Sequence, residues 1–304
     1  MPRQPAHGGS RRREDQSIAE LIHRRLDRLT RSERAAARTL LAGYPMAGLE
    51  SLTGFAQRAG VSHPTVLRFV AKLGYSGYPG FQAALRKELE ARLKSPLNKG
   101  PAPSSPARNG SDSWNGFAEA VCANIRQSLA AIPRHEVDAV AALLAAPQHT
   151  VYLLGGRFTD AIAHYTYMHL RALHPRVAHV TGPPVAWSEY LLNMGRRSVL
   201  VVFDIRRYQD DVVSFARRAA ERGARVVLVT DQWLSPIAAV AEHVFVARIE
   251  VPSRWDSSAA LLVLMEALIA RINDRYWQKV QGRLEELERL RAAFGPARDG
   301  RPST

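Results

Sequence analysis

Two short stretches gather side chains able to hold an anion. Gly155-Gly156-Arg157-Phe158-Thr159 follows directly on the apolar run T-V-Y-L-L, and Asp204-Ile205-Arg206-Arg207-Tyr208-Gln209 follows S-V-L-V-V-F. A guanidinium presents five donors in a planar fork that matches carboxylate and phosphate oxygens, so arginines gathered in this way favour anion binding. Both stretches close apolar runs of buried-strand length, and α/β sheets bind ligands outside the carboxyl ends of their strands. Thr230, at the end of R-V-V-L-V-T, stands at a third such place.

Two readings of these loops stay open. In one, Arg157, Arg206 and Arg207 converge on a small anionic metabolite, and Tyr208 shapes the pocket. In the other, Asp204 and Asp231 pair with the arginines, and the filled crevice serves packing or a subunit contact.

A second constellation lies in S-L-T-G-F-A-Q-R-A-G-V-S-H-P-T-V-L-R-F-V-A-K-L-G-Y, residues 51–75. Leu52, Phe55 and Ala56 make the buried side of one helix, and Gly60 supplies a tight turn. Ser62 is placed to cap a second helix, with Pro64 in its first turn, where a missing N–H costs little. Val66, Phe69, Val70 and Leu73 face inward; Ser62, His63, Thr65, Arg68 and Lys72 face outward. A helix, a glycine turn and a second helix with small polar residues at its start form a helix-turn-helix. Hydroxyls there approach phosphates, and an arginine one turn on reaches a guanine in the major groove.

The elements that must position these groups differ on either side of S-P-L-N-K-G-P-A-P-S-S-P-A-R-N-G-S-D-S, whose prolines, glycines and serines mark residues 95–113 as a linker. Residues 16–94 read as helical throughout, with Ile18, Leu21, Ile22, Leu26 and Leu29 in one stripe and Thr30 and Glu33 at capping-box spacing. Residues 114–294 hold strand runs at 150–156, 176–180, 198–203, 225–230 and 243–247. Helical stretches alternate with them, including S-P-I-A-A-V-A, and a long one spans Ala259 to about Phe294. The pattern is that of an all-α helix-turn-helix domain followed by an α/β doubly wound domain with a parallel sheet. Residues 1–15 and 295–304 read as frayed tails.

Of the 304 residues 46% are hydrophobic, enough for a core in each domain, and the net charge is +14. Residues 1–100 hold 18 Lys/Arg against 8 Asp/Glu. That surplus points to a polyanion, double-stranded DNA before a membrane. One cysteine, Cys122, excludes an internal disulfide. With no apolar leader or spanning segment, the expected location is cytoplasmic.

The run G-V-S-H-P-T-V-L-R-F-V-A-K-L-G-Y-S-G-Y-P-G-F resembles the N-terminal domain of RpiR-family bacterial transcriptional regulators, over roughly Ile18 to Leu93. The resemblance implies a recognition helix at about Ser62–Leu73, followed by a Tyr75–Tyr78 turn against the DNA backbone. It also implies a C-terminal sugar-isomerase (SIS) domain that binds phosphosugars and a role in controlling carbohydrate genes. SIS domains of that family usually carry G-x-G-x-S after the first strand and S-x-S-G-x-T at a later strand end. Here Arg157 replaces the second glycine of the first loop. In the second, Asp204 and Arg206 fall on the serines, Arg207 on the glycine and Gln209 on the threonine.

SIS domains also occur in isomerases, which need a general base. Glu189, Glu250 and His243 are candidates, but none stands in a recognisable catalytic arrangement, so no enzyme is expected. His164, His169, His174 and His179 lack metal-ligand spacing, and neither metal nor cofactor is expected. One helix-turn-helix reads too few base pairs for strong specificity, so a homodimer or homotetramer is expected. The apolar Leu261–Ile272 segment serves either that interface or the core.

Overall fold

The computed structural model describes residues 17–93 and 110–294. The head consists of α1 (Ile18–Arg25), α2 (Arg31–Ala42), α3 (Leu52–Ala59), α4 (His63–Lys72) and α5 (Tyr78–Leu93), with short 3-10 turns at Leu26–Arg28 and Met46–Leu49. Thr30 and Glu33 form the capping box that their spacing predicts: the Thr30 N–H donates to Glu33 Oε2 at 2.8 Å, and the Glu33 N–H to Thr30 Oγ1 at 3.4 Å. Gly60 ends α3 with φ at +63°, a left-handed conformation that glycine alone adopts without strain. Ile18, Ile22, Phe55, Val66, Phe69, Phe81 and Leu85 close the core of the head, all with no exposed surface. Burying a side chain of that size stabilises by about 1.5–3 kcal/mol, which is what lets five short helices hold together.

Most of the expected linker, 95–113, lies outside the described residues; its last four belong to α6 (Gly110–Ala131), followed by α7 (Arg134–Ala145). The expected tails, 1–15 and 295–304, also lie outside. The α/β domain then runs β1 (Thr150–Gly155), α8 (Asp160–Leu173), β2 (Val177–His179), α9 (Trp187–Leu192), β3 (Ser198–Asp204), α10 (Asp210–Glu221), β4 (Arg225–Asp231), β5 (His243–Ala247) and α11 (Ala259–Phe294). The expected helix at S-P-I-A-A-V-A is only a 3-10 turn, Pro236–Ala239, opened by Ser235 Oγ accepting the Ile237 N–H. The ten residues between Asp231 and Glu242 must also turn a corner between β4 and β5, and only Pro236–Ala239 closes a helical turn.

The five strands are all parallel, in the order β2-β1-β3-β4-β5. Alternate residues sort to two faces. Val151, Leu153, Val201, Phe203 and Val229 join α7, α8 and α11 on one side. Tyr152, Leu154, Leu200, Val202 and Leu228 join α9, α10 and the 236–239 turn on the other. Leu261, Leu264, Met265, Leu268 and Ile272 lie in the first of these cores, so burial within the chain accounts for the apolar start of α11.

Among the described residues, the head meets the α/β domain at Arg248 and at the 236–239 turn. Arg248, just past β5, donates to Glu20 of α1 at 2.8 Å, with both side chains largely buried. Elsewhere α2 packs against the 236–239 turn, beside a cavity of about 320 Å³ lined by Tyr44, Met46, Arg217 and Leu234 among others.

Candidate functional site

The chain passes from β1 outward to β2 and returns to β3 on the other side of β1. The gap between the carboxyl ends of β1 and β3 is therefore the topological switch point, where ligand crevices open in doubly wound sheets. A crevice of about 600 Å³ opens there, lined by Gly156, Arg157, Thr159, Asp204, Arg206, Arg207, Gln209, Arg254, Trp255 and Asp256 among others.

The first loop is tightly drawn. A Cβ at Gly155 would collide with the Asp160 backbone, so the helix start can approach the strand only over a glycine. A Cβ at Gly156 would lie 2.5 Å from Gln209 Oε1. Thr159 stands at the N-cap of α8 but makes no side-chain capping bond. Its buried hydroxyl accepts the Gly156 N–H at 2.8 Å and donates to the Phe203 carbonyl at 2.6 Å, lashing the loop to β3. Gln209 Oε1 accepts the Arg157 N–H and ties the two loops together. The Arg157 guanidinium is left exposed over the Phe158 ring, and Phe158 meets Trp255 edge-on across the mouth.

The second loop separates its two arginines. Arg206 points inward, its side chain 1% exposed, and binds Asp256 through two hydrogen bonds of 2.8 and 2.5 Å. Glu250 accepts from it at 3.4 Å, and the Trp233 ring lies 4.1 Å beneath its guanidinium. Arg207 points outward and is exposed at the crevice rim. The expected three-way convergence of Arg157, Arg206 and Arg207 is thus reduced to the outer two, because carboxylates from a distant loop claim Arg206.

Nor do the aspartates pair with arginine side chains as the alternative reading has it. Asp231 is fully buried and accepts from Tyr208 Oη at 2.6 Å, the Trp233 N–H at 3.0 Å and the Arg206 backbone N–H at 2.5 Å. Tyr208 therefore buttresses the floor rather than lining the crevice. Asp204 lies at the base and accepts from Ser235 Oγ at 2.5 Å. Burial pushes its carboxyl up to about 7; the Ser235 hydroxyl opposes that shift and neighbouring Asp231 adds to it. Thr230 Oγ1 donates to the Asp204 carbonyl at 2.6 Å and accepts the Ser235 N–H at 3.1 Å, so this hydroxyl too is spent on the frame.

On the head, α4 turns Val66, Phe69 and Val70 inward and leaves Ser62, His63, Pro64, Leu67, Arg68 and Ala71 exposed. Ser62 sits at the N-cap, but its Oγ meets Thr65 Oγ1 at 3.0 Å instead of a backbone N–H. Thr65 is buried and receives Arg68 Nη2 at 3.1 Å, which parks the guanidinium at the start of the helix. Lys72 Nζ donates to the buried Glu33 carboxylate at 2.7 Å, linking α4 to the capping box of α2. Tyr75 is half-buried edge-on to Phe81, and burial pushes its hydroxyl up to about 12. Of the six residues expected to face DNA, Ser62, His63, Arg68 and Lys72 are exposed, Lys72 with its ammonium on Glu33, while Thr65 is buried and Tyr75 half-buried. Leu67 and Ala71 share that exposed face, and their apolar type carries no polar-contact signal in the sequence.

The candidate bases have other partners or places. His243 Nδ1 pairs with Glu136 at 2.6 Å, Glu250 with Arg206, and Glu189 lies on α9 away from the crevice lining. His164 and His179 approach each other at 3.4 Å, with Asp160 on the far nitrogen of His179 at 2.8 Å, and buried His174 bonds the Ala146 carbonyl at 3.0 Å. No group of three or more metal-ligating residues occurs among the described residues, nor any helix long and apolar enough to cross a membrane.

Head and crevice together define a two-domain protein, a helix-turn-helix module carried by a doubly wound α/β domain of SIS type. A model of the rpiR-family helix-turn-helix domain matches residues 16–92, and the SIS domain model matches residues 144–271. The head is thus an rpiR-family helix-turn-helix domain and the α/β domain a SIS domain, a pairing that supports an RpiR-family regulator. Over 73 residues it is 40% identical to the HTH-type transcriptional regulator HexR of Pseudomonas aeruginosa, a match spanning 24% of this chain and 26% of that protein. The chain thus matches about a quarter of the length of that relative. In fold it is similar to the sugar isomerase domain of an RpiR transcription factor from Sphaerobacter thermophilus (TM-score 0.53, 24% identity, 60% of this chain and 99% of that one). It is also similar to Vibrio vulnificus NanR complexed with ManNAc-6P (TM-score 0.52, 16% identity, 92% and 100% covered).

Proposed function

We propose that this protein is a cytoplasmic DNA-binding transcriptional regulator that senses a small anionic metabolite, a phosphosugar or close relative, and controls genes of carbohydrate metabolism. The observation that carries the reading is the switch-point crevice with two outward guanidiniums, Arg157 and Arg207, on a chain that also presents an open recognition helix. Charge and bidentate hydrogen bonding stand in for the small-residue phosphate cradle usual in SIS domains.

Two routes lead from crevice to head. Asp204 bonds Ser235, which opens the turn that packs on α2. Arg206, at the crevice, holds Glu250, two residues from the Arg248 that grips Glu20. A ligand that displaces either loop changes how the head is held, and a homodimer or homotetramer converts that into a change in the spacing of two recognition helices on a palindromic operator.

The test is a thermal-shift panel of phosphosugars, sugar acids and inorganic phosphate. A true effector at about a hundred times its Kd adds about 2.7 kcal/mol to the folded state. The shift is expected to vanish in Arg207→Ala while the unliganded melting point stays put. Turnover of a phosphosugar by the purified protein, or a shift indifferent to Arg207, would overturn the reading.

A further inference from the structure

The exposed face of α4 carries a row that charge does not explain. His63, Leu67 and Ala71 follow one another at intervals of four, which stacks them along one line of the helix surface. Leu67 is 42% exposed, and neither it nor Ala71 belongs to the core of the head or to the side chains packed against that core. A lone surface leucine is ordinary. This one stands beside Arg68, one helical residue away, on the first two turns of the helix that the head presents outward.

Resting on the reading of α4 as a DNA-recognition helix, we propose that Leu67, with Ala71 beside it, reads the 5-methyl group of a thymine adjacent to the base that Arg68 addresses. The thymine methyl is the apolar feature of the major groove, and apolar side chains are its natural partners. The basic first third of the chain favours a polyanionic occupant for this face over a second apolar protein surface. Adjacent helix residues differ by about 1.5 Å in rise and 100° in direction, so Leu67 and Arg68 reach neighbouring base pairs rather than the same one. The preferred half-site therefore contains a guanine next to a thymine, with Arg68 specifying the guanine and Leu67 the thymine.

The experiment uses the duplex most enriched by the full-length wild-type protein from a random library. Each thymine is replaced singly by deoxyuridine, which removes one methyl and nothing else. At one position per half-site the replacement is expected to weaken wild-type binding about four-fold, the value of one buried methylene-sized group. Leu67→Ala is expected to bind the thymine and uracil duplexes equally, and Leu67→Met to regain the discrimination. Equal sensitivity of the wild type and Leu67→Ala at every position would refute the assignment of Leu67 while leaving DNA binding intact. A changed oligomeric state in Leu67→Ala with discrimination unchanged would make the leucine a contact between heads and refute it equally. Enrichment of no duplex at all would refute the reading of α4 itself, and this inference with it.

Discussion

The recognition face of the head and the crevice of the α/β domain both carry arginines, and the two regions use them in opposite ways. On α4 the helical repeat decides orientation: Arg68 points out because Val66, Phe69 and Val70 point in. At the crevice no repeat operates. Arg206 and Arg207 are neighbours in an irregular loop, yet one is nearly sealed against Asp256 and the other open to solvent. A cation on a helix is placed by its own segment, whereas a cation on a loop is placed by whatever distant carboxylate reaches it first.

The sharpest way to break this comparison is to remove the sealed cation. Arg206→Ala removes the guanidinium that Asp256 and Glu250 share, and the loss of one partner from such a cluster costs about 3 kcal/mol, the low end because Glu250 is half-exposed. Arg207→Ala, by contrast, is expected to shift stability by less than about 0.5 kcal/mol. Urea unfolding of the two variants measures both; equal losses would mean that the two arginines are not divided as described.

Within the head the same contrast operates at smaller scale. Arg68→Ala is expected to weaken operator binding by about ten- to two-hundred-fold, equivalent to about 1–3 kcal/mol, with the melting point unchanged. Lys72→Ala should do the reverse. It strips the buried Glu33 of a charged hydrogen bond worth about 1.5 kcal/mol and lowers the melting point. A Lys72→Ala protein that melts normally but fails to bind DNA would return Lys72 to the DNA-contacting face.

The smallest effect is the dependence of stability on pH. Asp204 holds its proton up to about 7 when folded but only to about 4 when unfolded. The folded state therefore binds more protons between those values, and stability falls as pH rises through that window. Asp204→Asn is expected to flatten that part of the profile and to stabilise most at pH 8. Parallel pH profiles for wild type and variant would show that Asp204 is ionised at neutral pH.

Much of the fold was legible because its signals are local. The capping box of Thr30 and Glu33, the turn at Gly60 and the five strand runs each depend on residues within a few positions of one another. The roles of Thr159, Thr230 and Tyr208 were not legible. Each was expected to face a ligand and is bound instead to a group between 23 and 44 residues away: Phe203, Asp204 and Asp231 respectively. Lys72 shows the same limit, since the helical repeat put it outside correctly, but only the fold brings Glu33 within its reach. Leu67 was missed for the opposite reason: its position was plain, but its type suggested no chemistry.

The segment Arg248-Ile249-Glu250 leaves β5 with one residue tied to the head and another, two positions on, tied to the floor of the crevice, and Ile249 between them is fully buried. Two residues span at most about 7 Å of chain, too short to take up slack. The tripeptide is in effect a strut, and work done at either end is felt at the other. Reciprocity then requires that any factor by which an effector loosens the grip on the operator be the factor by which the operator loosens the grip on the effector. On the proposed function, the protein measured in the presence of an operator would report a different threshold for an effector than it does alone.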